Sequence, residues 1–118
     1  MSELKVVIHV NDPDRWKKAL GNIRNLIKDV GEGKADIVAL ANGSAVTAFG
    51  NTELIEAMKT LAEQGVHFIA CRNSLKNMCA EGVICLSENE RPSFVVVTPA
   101  GITELVKRQH QGYAYVKP

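Results

Sequence analysis

Charge excess is the first thing this 118-residue sequence lacks: 14 Lys and Arg stand against 13 Asp and Glu, a formal net charge of +1. With no basic run and no basic residues interleaved with aromatics, nothing marks it as a partner of DNA or RNA. Long apolar stretches are missing too, and none approaches the ~20 residues that span a bilayer. The opening Met1-Ser2-Glu3-Leu4-Lys5 runs straight into a strand-like segment without a signal-peptide pattern, so a cytoplasmic protein with no membrane partner is expected. Cysteine is scarce. Three residues, at 71, 79 and 85, form no CxxC pair, which argues against a disulfide scaffold and fits a reducing compartment. The histidines are scattered at 9, 67 and 110, so no structural zinc site is expected. There is no Gly-x-Ser-x-Gly elbow, no GxGxxG and no Walker lysine, which leaves a serine hydrolase or a nucleotide site unsupported.

What is present is an ordinary globular composition, 46% apolar and 23% charged, in a length that suits one domain over residues 1–118. Lys5-Val6-Val7-Ile8-His9-Val10 is a β-branched run of the kind covered on both faces of a sheet. Asp12 and Pro13 then open a helix whose apolar positions, Trp16, Ala19, Leu20, Ile23, Leu26, Ile27 and Val30, recur at spacings of three and four. Gly31 and Gly33 end it. Asp36 to Ala41 is a second buried strand, broken by Asn42-Gly43-Ser44, with a short helical turn possible over Ala45 to Phe49. Asn51 or Thr52 caps a helix carrying Leu54, Ile55, Met58, Leu61 and Ala62. A third strand lies in Gly65 to Cys71 and a third helix follows it to Gly82. Residues 83–86 are an apolar run without a clear place, and Ser87 to Pro92 a polar loop. Ser93 to Thr98 is a fourth strand, Pro99 starts a fourth helix, and Tyr113 to Val116 is a last short strand. This alternation specifies a three-layer α/β/α domain with a mostly parallel five-stranded sheet. The expected strand order is 2-1-3-4-5, which would put the switch point between strands 1 and 3 and line one cleft with Asn11, Asp12 and Cys71.

The chemistry concentrates at Cys71-Arg72-Asn73-Ser74-Leu75, where a strand runs into a helix. Asn73 and Ser74 offer caps, and a thiol beside unpaired helix amides is favoured as thiolate, with Arg72 and Lys76 adding positive charge. The same residue also reads as a buried cysteine acting as a small hydrophobe. Asn42-Gly43 ends strand 2, where it is either a plain turn or a place for an anion to approach backbone amides. A Cys71–Cys79 redox pair is awkward, because eight helical residues span about 12 Å against the roughly 7 Å limit for bridged Cα atoms. Cys79, on the face of Leu75, reads as core. His9 and His67 read as strand residues and His110 as a helix end.

The βαβα opening, the Asn-Gly turn, Cys71-Arg72-Asn73-Ser74-Leu75 and the tail Arg108-Gln109 with Gly112-Tyr113-Ala114-Tyr115 together resemble the DsrE/DsrF-like family across essentially the whole chain. The resemblance is closest to its small, largely uncharacterised single-domain members. It implies a flavodoxin-like α/β/α sandwich assembled as a homotrimer or hexamer, with Cys71 matching the cysteine after the third strand. The better-understood relatives carry sulfur as a persulfide. A sulfur carrier or sulfurtransferase-like protein would use Cys71 as its catalytic residue and Arg72, Asn73 and Ser74 around it. It would need no metal or organic cofactor, and would exchange sulfur with thiol-bearing donor and acceptor proteins. The rival reading is a non-catalytic oligomeric module holding a small anion between Asn42-Gly43 and the Cys71 helix start.

Overall fold

Five of the apolar runs become strands in the computed structural model, which describes residues 4–118. The expectation for Met1–Glu3 lies outside the described residues. The strands are β1 (Leu4–Val10), β2 (Ala35–Ala41), β3 (His67–Cys71), β4 (Val95–Thr98) and β5 (Ala114–Val116). All neighbouring pairs are parallel, and the order across the sheet is β4-β3-β2-β1-β5. This corrects the expected order 2-1-3-4-5: β2, not β1, adjoins β3, and β1 and β3 are not neighbours.

Handedness accounts for the layers. The helices α1 (Trp16–Val30), α2 (Thr52–Glu63) and α3 (Arg72–Ala80) connect β1 to β2, β2 to β3 and β3 to β4. These three crossovers step across the sheet in one direction, so right-handed connections place all three helices on one face. The connection through α4 (Gly101–His110) runs back from β4 to β5 beyond β1, and the same rule places α4 on the opposite face. The strand residues alternate accordingly. Val6, Ile8, Val10, Ile37, Ala39, Phe68 and Ala70 pack with Trp16, Ile23, Met58, Leu75 and Met78 in the larger core. Val7, Val38, Leu40 and Ile69 pack with Leu105 and Tyr113 in the smaller one.

Local signals set the boundaries. Asp12 Oδ1 accepts from the Asp14 N–H at 2.9 Å, but Pro13–Arg15 form a 3-10 turn and the α-helix begins at Trp16. Asn51 caps α2 by accepting from the Leu54 N–H at 3.0 Å. The short helical turn read over Ala45 to Phe49 is a longer 3-10 segment, Gly43–Gly50, that buries Ala45, Val46, Ala48 and Phe49. Trp16 fastens it: the indole N–H donates to the Ala45 carbonyl at 2.8 Å, and the ring packs edge-on against Phe49.

The apolar run after α3 also finds its place. Gly82 takes a left-handed conformation (φ 75°) that reverses the chain, and Ile84 and Leu86 pack against the larger core. The side-chain tip of Ile84 occupies the space where a Cβ on Gly50 would be. The same reversal returns Cys85 to Cys79, and the two form a disulfide. Cys79 is therefore exposed and bonded rather than core, because the inward face of α3 is Ser74, Leu75 and Met78. Tyr113, read as the start of the last strand, precedes β5 and is buried beneath α4, while Ala114, Tyr115 and Val116 stay exposed.

Replacing Trp16 by Phe should lower stability by about 2 kcal/mol, since it removes buried volume and leaves the Ala45 carbonyl without its donor. Urea denaturation should show an earlier midpoint with an unchanged slope. A midpoint like that of the parent chain would mean that Trp16 does not hold the 3-10 segment.

Candidate functional site

The strand order decides which loop ends meet. The connections leaving β1, β2 and β3 pass to one face, whereas the one leaving β4 passes to the other. The switch point therefore lies between the carboxyl ends of β3 and β4, where such sheets bind ligands. Cys71 is the last residue of β3 and pairs in register with Thr98, the last of β4. The cleft expected between strands 1 and 3 is not formed, and Asn11 and Asp12 do not border Cys71 across a switch point. Asn11 instead meets the Asn42 turn, its carbonyl oxygen standing 3.3 Å from the position a Cβ on Gly43 would take.

Cys71 faces two helix starts. As the residue before α3 it adjoins the first amides of that helix, and the Gly101 N–H at the start of α4 donates to its Sγ at 3.3 Å. Close approach requires glycine at 101: a Cβ there would lie 3.2 Å from Cys71 Cβ, 3.3 Å from Leu40 Cδ2 and 3.4 Å from Asn42 Cβ. Burial pushes the Cys71 thiol up, but the Ser74 hydroxyl and the backbone N–H groups of Gly101, Ser74 and Asn73 outweigh it, and the net shift is downward. Cys71 is 5% exposed and is the free cysteine of the chain.

The other expected residues divide. Ser74 is buried and reaches the site, but not as a helix cap: its Oγ accepts from the Gly43 N–H at 2.7 Å. This bond joins the turn after β2 to the helix after β3, and leaves the hydroxyl hydrogen for Cys71. Gly43 has φ 59°, a conformation that suits glycine. Asn73 is exposed and contributes its backbone N–H. The groups that lower the Cys71 thiol are those hydrogen-bond donors rather than the expected Arg72 and Lys76, which line a separate groove beside α3.

Asn42 takes part through a partner that the spacing of residues did not reveal. Its Oδ1 accepts from His9 Nε2 at 2.8 Å, and His9 Nδ1 in turn is hydrogen-bonded to the Tyr115 hydroxyl at 2.6 Å. An amide oxygen only accepts, so Nε2 carries the hydrogen of the Asn42 bond. His9, Tyr115 and Gly101 were thus missed as parts of the site. The only sequence signal for them was the aromatic tail. That tail is tied down twice: Arg108 donates to the Tyr113 hydroxyl at 3.1 Å, and Tyr113 donates to Asp36 at 2.5 Å.

The sequence profile of the DsrE/DsrF-like family matches residues 12–118. The chain belongs to this family. Among solved structures, the protein of unknown function MTH1491 from Methanobacterium thermoautotrophicum is 29% identical, with a TM-score of 0.83 over 98% of this chain and 100% of that one. The ychN protein from E. coli shares the fold at 17% identity, with a TM-score of 0.76 over 98% and 99% of the two chains. No curated protein matches the sequence. The parallel five-stranded sheet with flanking helices is thus the fold that this DsrE-like chain shares with those two proteins. Among the described residues no helix is long and apolar enough to cross a membrane.

Two variants check the electrostatics of Cys71. Ser74→Ala should raise the pH at which alkylation of Cys71 reaches half its maximal rate, and lower stability by about 1 kcal/mol through loss of the Gly43 bond. Gly101→Ala should raise that midpoint too, and lower stability by about 1–3 kcal/mol, since its three close neighbours are held by strands and by His9. A folded thiol shifted downward stabilises the protein fully above the pKa of the unfolded thiol. That stabilisation is lost as pH falls through the lower folded value. Midpoints unchanged in both variants would remove the amides and the hydroxyl as the cause.

Proposed function

We propose that this protein is a sulfur carrier whose Cys71 holds sulfane sulfur as a persulfide. The observation that carries the reading is the convergence of two helix starts, those of α3 and α4, on one free sulfur atom. In the reaction, the Cys71 thiolate attacks the outer sulfur of a donor persulfide, RS–SH. The donor S–S bond breaks, a new one forms on Cys71, and the donor leaves as RSH while Cys71 becomes the persulfide anion. A persulfide is more acidic than a thiol, so the amides of Gly101, Asn73 and Ser74 would favour the loaded state. Transfer to an acceptor thiolate is the same exchange reversed. No cofactor enters it. Membership in a family associated with sulfur relay supports the reading.

The rival reading, an anion held between Asn42-Gly43 and the start of α3, has less room here. The Gly43 amide is taken by Ser74 Oγ, and Asn42 Oδ1 by His9.

A burial of 95% around Cys71 sets a size limit on what reaches it. Treatment with polysulfide should add a sulfur mass to Cys71 that a reductant removes, and the adduct should be absent from Cys71→Ala. Bulky maleimides should label Cys71 far more slowly than polysulfide does. A sulfur adduct confined to Cys79 or Cys85, or none at all, would overturn the proposal.

We also propose that the protein works as a homotrimer or hexamer. Val96 of β4 and Ile102 and Val106 of α4 lie on the α4 side of the sheet, with Val96 and Ile102 62% and 65% exposed. One helix cannot cover that face, and a second copy would complete it. Light scattering should return three or six times the 12.8 kDa of the parent chain. The variant Val96→Glu should shift it towards the monomer. A monomer at all concentrations would reject the assembly.

A further inference from the structure

A second sulfur site lies apart from Cys71. The groove between α3, the α3-facing side of β4 and the loop before it has a volume of about 790 Å³, and the Cys79–Cys85 disulfide forms part of its wall. Both cysteines are exposed. Arg72, Lys76 and Cys79 all line the groove, and their spacing of four and then three residues stacks them along one face of α3. At the helical rise, Lys76 stands about 4.5 Å and Arg72 about 10 Å along the axis from Cys79. Neither cation has a carboxylate partner, since the Glu104–Arg108 pair is the one salt bridge among the described residues. On the opposite wall Glu90 accepts from the Ser87 N–H and Arg91 donates to the Leu86 carbonyl, so both are engaged within their own loop. Glu88 also faces the groove.

We propose that Cys79–Cys85 is a thiol–disulfide exchange centre for a small thiol bearing carboxylates. The carboxylates rest on Arg72 and Lys76, while the sulfur reaches Cys79. The incoming thiolate attacks Cys79 Sγ and forms a mixed disulfide as the Sγ–Sγ bond breaks. The electron pair leaves on Cys85, which takes a proton from water and lies 3.7 Å from the Cys79 carbonyl oxygen that can accept its S–H. A second thiolate then attacks the sulfur of the bound thiol, releasing the small-molecule disulfide and the Cys79 thiolate. Two small thiols are oxidised and one protein disulfide is reduced. With the small-molecule disulfide in excess, the steps run in reverse. This centre does not depend on the reading of Cys71.

The test compares opening of the disulfide by reduced glutathione, an anionic thiol, with opening by cysteamine, a cationic one. Rates are normalised to thiolate concentration at low salt, and peptide mapping separates Cys79 and Cys85 from Cys71. Glutathione should react about five-fold faster, and the preference should vanish in Arg72→Glu/Lys76→Glu and in high salt. In Cys85→Ser, oxidised glutathione should form its mixed disulfide on Cys79. Equal or reversed rates in the parent chain, a glutathione preference that survives the double charge reversal, or a mixed disulfide confined to Cys71 would each overturn the proposal.

Discussion

The handedness of parallel crossovers is the constraint on which everything else in this fold rests. Three short connections carry the chain stepwise from β1 to β4 and stack three helices on one face. Having reached the edge, the chain can pair a fifth strand only by returning to the other side of β1. A right-handed return forces α4 onto the opposite face. A switch point is thereby created between β3 and β4, and the first residue of α4 is pressed against the last residue of β3. The contact between the Gly101 amide and Cys71 Sγ is a consequence of topology.

That contact changes what a strand-end cysteine does. A thiol 5% exposed would ordinarily be driven towards its neutral form by desolvation. Here four donors face it, drawn from α3, α4 and the Ser74 side chain, and they reverse the sign of the shift. Fixed dipoles replace water around the sulfur. Ser74 is central because it serves two neighbours, accepting from the Gly43 amide while its hydrogen faces Cys71. The neighbouring chain Tyr115–His9–Asn42 stiffens the turn on which this depends and ties β5 to it.

The two sulfur sites differ in their surroundings as well as their chemistry. Cys71 is enclosed and held by backbone amides, whereas Cys79 and Cys85 border an open groove with side-chain cations. Adjoining faces of α3 serve the two, with Leu75 bordering both. Ser74, Leu75 and Met78 point inward, and Arg72, Lys76 and Cys79 line the groove.

By itself the sequence determined the number and order of elements, because the β-branched runs and three-to-four spacings of Val6–Val10 or Trp16–Val30 are local properties. It also located Cys71 at a strand-to-helix junction, since that follows from residues adjacent in the chain. Tertiary structure alone decided the strand order, because parallel alternation is compatible with several orders and only the packing of side chains selects one. It decided too that Ser74 bonds Gly43, that Gly101 reaches Cys71 and that His9 stands between Tyr115 and Asn42, pairs separated by 30 to 106 residues. The Cys79–Cys85 bond depended on a chain reversal at Gly82 whose direction is fixed by where Ile84 and Leu86 find the core. Local pattern carries the free energy of single elements. The contacts that tune a sulfur atom are made by residues far apart in the chain, and only the folded chain brings them together.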